Sequence, residues 1–212
     1  MLWTEESLFA DPDWDLSGIK EMSALEEKVK TCRRCGLRAG CRGVVFGEGN
    51  PAARLVFCGE GPGADEDRLG RPFVGRAGQL LDKMLAACGF QRFEHVYILN
   101  AVKCRPPGNR IPTDEERAAC RLNLDAQLRL LKPVIMVLLG ATALQAVLDP
   151  KGRITKDRGR WVERNGVLIM PTYHPAALLR NPNLKRDTWA DLKQVVVKYR
   201  ELVDPGHCSP HC

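Results

Sequence analysis

The sequence predicts an α/β fold, a mainly parallel sheet covered by helices. Strand-like apolar runs alternate with helical stripes roughly every 35 to 40 residues. One run, VIMVLLG, is apolar throughout, as a strand buried on both faces must be. Three segments leave strand ends with conspicuous polar residues, at 59–63, 100–104 and 174–178, where a parallel sheet places its ligand-binding rim.

Taken in order, residues 1–17 are acidic, aromatic (Trp3, Phe9, Trp14) and aperiodic, so residues 1–22 are expected to form a flexible or loosely docked leader. SALEEKVKTC places Leu25 and Val29 at helical spacing, with Ser23 and Glu26 as a capping box, and delivers Cys32 and Cys35 at its end. After an Arg- and Gly-rich loop, ARLVFCGEGPG reads as a strand meeting a glycine turn. GRAGQLLDKMLAACG carries a helical stripe (Leu80, Leu81, Met84, Leu85, Cys88) stopped by Gly89. HVYILNAVKC is the second strand, followed by the loop RPPGNRIPT and a helix capped by Thr113 and Glu116 that runs through Leu131. VIMVLLG is the third strand, ATALQAVL a helix, VLIMPTYH the fourth strand, and a last helix runs from about Asp187 to Leu202. One domain over residues 23–203 and a tail over 204–212 account for the chain, with no repeat or low-complexity tract.

The 212 residues are 44% hydrophobic and 27% charged, enough for a sizeable core and a well-solvated surface. Lys and Arg exceed Asp and Glu by 32 − 26 = 6, a balance that suits a polyanionic partner. The opening MLWTEESLFADPDWD lacks the basic-then-apolar pattern of a secretory signal. No apolar run approaches the ~18 residues of a membrane span. With an odd count of nine cysteines, the expectation is a reduced, cytoplasmic protein rather than a disulfide framework.

Cys32-x2-Cys35 is a metal or cluster half-site whose matching pair is Cys104 and Cys120, with Cys41 a rival. Spacing alone leaves zinc, an iron–sulfur cluster and a redox dithiol open. Cys58 and Cys88 fall on core positions, and the ending HCSPHC is either a metal-catching or a disordered tail. GEGPG offers exposed backbone N–H groups to a ligand, yet no GxGxxG, GKS or GKT is present, which argues against dinucleotide and nucleotide-triphosphate enzymes.

GEGPGADEDRLGRPFVGRAGQLLDKML, VYILNAVKCRPPGNRIPT and PTYHPAALLR, in this order and with the four cysteines, resemble the iron–sulfur (family 4) uracil-DNA glycosylases over about residues 24–202. The resemblance implies a three-layer α/β/α sandwich with a short, mainly parallel central sheet. It implies a structural [4Fe–4S] cluster on Cys32, Cys35, Cys104 and Cys120, leaving Cys41 free. It implies a monofunctional DNA-repair enzyme that hydrolytically releases uracil from single- or double-stranded DNA, acting as a monomer with a replication or repair partner in view.

On that reading Gly59, Glu60, Gly61, Pro62, Glu66, Phe73, Asn100 and His174 surround the base. Asn100 reads the Watson–Crick edge of a flipped uracil and Phe73 stacks on it. His174, with backbone N–H groups near Gly61, stabilises charge on O2, and Glu60 is the nearest carboxylate for water or the cationic sugar. Glu66 is a candidate for blocking the thymine methyl. Leu178 is expected to wedge into the duplex, Arg71, Arg76, Lys103 and Arg180 to contact phosphates, and the polar loop RITKDRGR, which holds Lys156 and Arg158, to approach DNA as well. A relative that traps DNA covalently carries a His in the loop after the second strand, where this chain has Pro112. The rivals to hydrolysis are therefore that trapping branch and a non-catalytic iron–sulfur or zinc DNA-binding module.

Overall fold

Short runs without a charged side chain make the centre of the molecule. The computed structural model describes residues 14–211. Its strands are β1 (Glu48–Gly49), β2 (Leu55–Gly59), β3 (Val96–Asn100), β4 (Ile135–Leu139), β5 (Val162–Arg164) and β6 (Val167–Thr172). Its helices are α1 (Met22–Lys30), α2 (Leu37–Gly40), α3 (Ala64–Leu69), α4 (Arg76–Ala87), α5 (Asp114–Leu131), α6 (Ala141–Val147), α7 (Ile154–Asp157), α8 (Pro175–Arg180) and α9 (Leu184–Leu202). The strands lie in the order β1-β3-β2-β4-β6-β5, with β3, β2, β4 and β6 parallel and the two edge strands antiparallel.

Alternation along each strand divides the core into two layers. Leu55, Phe57, Ile98 and Val137 pack against Leu81 and Leu85 of α4 and Leu192 and Val196 of α9. Val56, Cys58, Leu99, Met136 and Leu138 face Leu124 and Leu128 of α5 and Leu144 of α6. Helices thus cover both faces of the sheet, the expected three-layer α/β/α sandwich. Cys58 and Cys88 are buried in these layers, as their sequence positions implied.

The Thr113–Glu116 capping box forms as expected: Thr113 Oγ1 accepts from the Glu116 N–H at 3.3 Å, and Glu116 Oε2 accepts from the Thr113 N–H at 2.8 Å. The Ser23–Glu26 box does not form. Glu21 takes the N-cap position, because Met22 joins Leu25 and Val29 on the apolar face of α1 and draws the helix start forward. Helix α9 begins three residues before Asp187, after an Asn181–Asn183 turn in which Asn181 Oδ1 accepts from the Asn183 N–H at 3.2 Å. Edge strands β1 and β5, with two and three residues, carry no strand-length apolar run. β5 had a legible signal nonetheless: Asn165 and Gly166, both at positive φ (51° and 73°), form a hairpin turn of the Asn-Gly type.

Both ends of the described chain are docked. Trp14 and Leu16 are buried with Leu25, Val29, Phe46 and Ala126, so the segment is not loose from Trp14 onward, whereas Trp3 and Phe9 lie outside the described residues. In the tail, the buried His207 ring stacks on Phe90 with centroids 4.5 Å apart, and its Nε2 lies 2.9 Å from the Cys88 carbonyl. His207 is thereby a packing residue rather than a metal catcher. Gly89, at φ 77°, admits this tail: a Cβ there would lie 2.0 Å from the Cys208 carbonyl oxygen. No described helix is long and apolar enough to cross a membrane.

Candidate active site

The carboxyl ends of β2, β3, β4 and β6 open onto one cleft, which Glu60, Gly61, Pro62, Glu66, Phe73, Asn100 and His174 line together. Residues far apart in sequence therefore meet because four parallel strands end on the same side.

Asn100 closes β3 beside Gly59, its register partner in β2. The side chain is 2% exposed, and its Oδ1 has no hydrogen-bond partner. A buried acceptor left unpaired costs about 1–3 kcal/mol. Of the two such described residues, Gln127 and Asn100, only Asn100 lines the cleft, where a ligand can meet it. A Cβ on Gly59 would stand 2.4 Å from Phe73 Cζ and 2.5 Å from Asn100 Oδ1. Only glycine lets the amide and the aromatic ring close on the same space.

Phe73 is buried at φ 53°, a left-handed conformation costly for an aromatic residue. Two charged groups hold it there. The Glu66 carboxylate accepts from the N–H groups of Gly63 (3.1 Å), Val74 (2.9 Å) and Gly75 (2.8 Å). Arg92 donates to the carbonyls of Phe73 (3.2 Å) and Pro72, and pairs with Glu48 at 2.5 Å and Asp82 at 2.8 Å. Glu66 is thus a loop tether at the cleft wall. Sequence reasoning missed Arg92, a residue whose work is done across 20 positions of chain.

His174 caps α8, and its ring lies 5.5 Å from that of Phe73, inclined by 29°. Its Nδ1 accepts from the Ala176 N–H at 3.1 Å, so the ring proton belongs on Nε2. Burial pushes the imidazole down to about 4, helped by the Arg180 charge and opposed by Glu66. The group is a neutral donor at physiological pH, a choice that sequence left open. Opposite it, Glu60 Oε2 accepts a 2.5 Å hydrogen bond from the hydroxyl of Thr142.

The outer residues depart further from expectation. Leu178 is 2% exposed and turned into the protein, while Leu179 stands 41% exposed; one step along α8 rotates the side chain about 100°. Lys103 is also buried: its ammonium donates to the Asn100 carbonyl at 2.7 Å, and burial drives it down to about 8, so it cannot meet a phosphate. Arg71 is committed to both carboxylate oxygens of Glu48, at 2.7 and 3.1 Å. Arg158 is held by Asp191, at 2.5 and 3.0 Å. Arg76 and Arg180 remain exposed, Arg180 on the cleft wall, and Lys156 is exposed on α7.

Cys32, Cys35, Cys104 and Cys120 line a second, small cavity together with Lys103 and Asn123. The end of α1, the segment after β3 and the body of α5 bring them there. Asn123 Nδ2 lies 3.7 Å from Cys32 Sγ and 3.9 Å from Cys120 Sγ as a donor. Burial pushes the thiols of Cys35, Cys104 and Cys120 up, so thiolates here need a compensating positive centre. Cys41 packs against this group, and its thiol lies 3.7 Å from the Arg38 carbonyl. The described residues do not converge closely enough to form a ready-made site for a single metal ion.

The chain is similar to known proteins over most of its length. Residues 46–193 match the family model described as "Uracil DNA glycosylase superfamily". The chain is 49% identical over 177 residues to a "Type-4 uracil-DNA glycosylase" of Thermotoga maritima, covering 82% of this chain and 92% of that protein. It is 39% identical over 188 residues to a protein of the same description from Archaeoglobus fulgidus, covering 84% and 92%. A "Type-5 uracil-DNA glycosylase" of Pyrobaculum aerophilum is 36% identical over 174 residues, covering 74% and 75%.

Proposed function

The chain belongs to the uracil DNA glycosylase superfamily, and from that premise we propose that it excises uracil from single- and double-stranded DNA by hydrolysis. The observation that carries the reading is the buried, unpartnered Oδ1 of Asn100. Uracil N3–H donates to that oxygen while the Asn100 amide N–H donates to O4. Cytosine presents the reversed pattern and leaves both groups unpaired. Phe73 supplies a stacking face for the flipped base.

Cleavage breaks the C1′–N1 bond and leaves its electron pair on uracil. The neutral His174 donates from Nε2 toward O2 as that charge develops, alongside backbone N–H groups near Gly61. Water adds at C1′, and Glu60 takes its proton or balances the cationic sugar. No lysine is among the described residues of the cleft, which favours a monofunctional enzyme over a Schiff-base lyase. Arg76 and Arg180 meet phosphates, and Leu179 takes the wedge role in place of Leu178.

Cys32, Cys35, Cys104 and Cys120 fit a structural [4Fe–4S] cluster: all four face one cavity, and a buried amide donates to two of the sulfurs. When bound, the cluster supplies iron–thiolate cross-links between α1, the segment after β3 and α5. Cytoplasm, a reducing compartment, suits such a protein, which we take to act as a monomer.

The test uses anaerobically purified protein on single- and double-stranded oligonucleotides bearing uracil, thymine, hypoxanthine or xanthine. Release of free uracil is expected, with loss of release in Asn100→Ala and Glu60→Gln. No release from any substrate overturns the enzyme and leaves the binding module. A DNA adduct that survives denaturation favours the trapping branch instead.

A further inference from the structure

Thr142 is the second residue of α6, and its side chain is 4% exposed. Glu60 follows β2 and Thr142 follows β4, and these two strands are hydrogen-bonded neighbours as far as Cys58 and Leu138. The hydroxyl and the carboxylate are thus brought to 2.5 Å by the sheet itself, not by a flexible loop. An ionised carboxylate only accepts, so the Thr142 hydroxyl is the donor and its hydrogen is fully committed. That bond engages Oε2 and leaves Oε1 for the reaction. We propose that Thr142 is a positioning residue: it fixes the rotation of the Glu60 carboxylate so that one defined oxygen meets water or the sugar.

The proposal rests on the reading of Glu60 as the working carboxylate, and its test separates the two. A hydrogen bond to a charged group corresponds to roughly 10- to 100-fold in rate. Thr142→Val, which removes the hydroxyl and keeps the shape, is expected to lower kcat for uracil release by about that factor with KM near wild type. Thr142→Ser is expected to restore most of the loss. In a Glu60→Gln background the valine substitution is expected to have almost no further effect. If Thr142→Val fails to fold, the comparison is made between Thr142→Ser and Thr142→Ala. A hydroxyl-free variant with kcat within twofold of wild type, or losses that multiply in the double variant, overturns the role of Thr142. Wild-type rates in Glu60→Gln overturn the reading of Glu60 instead.

A separate observation concerns the cysteines. Trp14 lies outside the stretch matched by the family model, yet its indole N–H donates to Asn123 Oδ1 at 2.9 Å in a buried contact. An indole can only donate, so it forces the amide oxygen toward itself and the amide NH2 toward Cys32 and Cys120. We infer that Trp14 sets the orientation of an amide that stabilises the two sulfurs, and that this protects the cluster proposed above.

Iron content and the rate at which the visible cluster absorption bleaches in air provide the test. Asn123→Asp keeps the Trp14 partner but replaces the sulfur donors with an acceptor; Trp14→Phe frees the amide to turn. Both are expected to bleach several-fold faster than wild type. Equal lifetimes in both variants overturn the inference, and a normal lifetime in Trp14→Phe alone removes Trp14 from it. An iron-free wild type overturns the cluster reading itself.

Discussion

Asn100→Leu separates a residue held for a ligand from one that serves the fold. The two side chains have nearly the same shape, so the substitution removes polarity without opening a cavity. The Asn100 carbonyl keeps its bond from Lys103, and the β2–β3 register is untouched. In the free protein the change deletes an unpaired buried acceptor, a burden of about 1–3 kcal/mol. Folding stability is therefore expected to hold or to rise, by up to about 2–4 °C in Tm for each kcal/mol at this chain length. With substrate bound, uracil N3–H and O4 lose their partners in a closed pocket. Two such losses at about 1–3 kcal/mol each give about 2–6 kcal/mol, or roughly 30- to 20,000-fold in excision rate. Thermal melting and single-turnover uracil release on one preparation read both quantities. A variant that loses more than about 1 kcal/mol of stability yet excises within about threefold of wild type would refute the argument, because Asn100 would then be structural.

Four further outcomes follow from the same geometry. The folded His174 imidazole lies near 4 against 6.5 for the free group, so the unfolded chain binds the extra proton. Its stability contribution is full above about 6.5 and is lost as pH falls toward 4, and a melting series should show this acid loss reduced in His174→Gln. Leu178→Ala should cost about 2–4 kcal/mol in denaturant unfolding. Leu179→Ala should leave stability within about 0.5 kcal/mol while slowing excision from duplex more than from single strands, and equal slowing on both would remove the wedge role. His207→Ala should lower Tm through the lost stack on Phe90 and the lost contact with the Cys88 carbonyl, with uracil release at 25 °C unchanged.

The sequence by itself determined the order of the four central strands along the chain, the cap of α5 and the residues that rim the cleft. Each is a local signal: a fully apolar run, a Thr-x-x-Glu spacing, a polar residue at a strand end. The Asn165–Gly166 turn was equally local and shows that β5 was readable. Tertiary structure alone decided what depends on which way a side chain turns and what it meets there. Leu178 and Leu179 are indistinguishable as letters, but packing of α8 buries one and exposes the other. Lys103 reads as a phosphate ligand until its ammonium is found on the Asn100 carbonyl, and Arg71 until Glu48 claims it. The neutral state of His174 comes from an N–H two residues on and from burial by distant segments. Thr142 and Trp14 had no motif to mark them, because their partners, Glu60 and Asn123, lie 82 and 109 residues away. Periodicity and spacing record the chain's local conformation, whereas protonation, charge pairing and side-chain exposure are set by groups that only the folded sheet brings together.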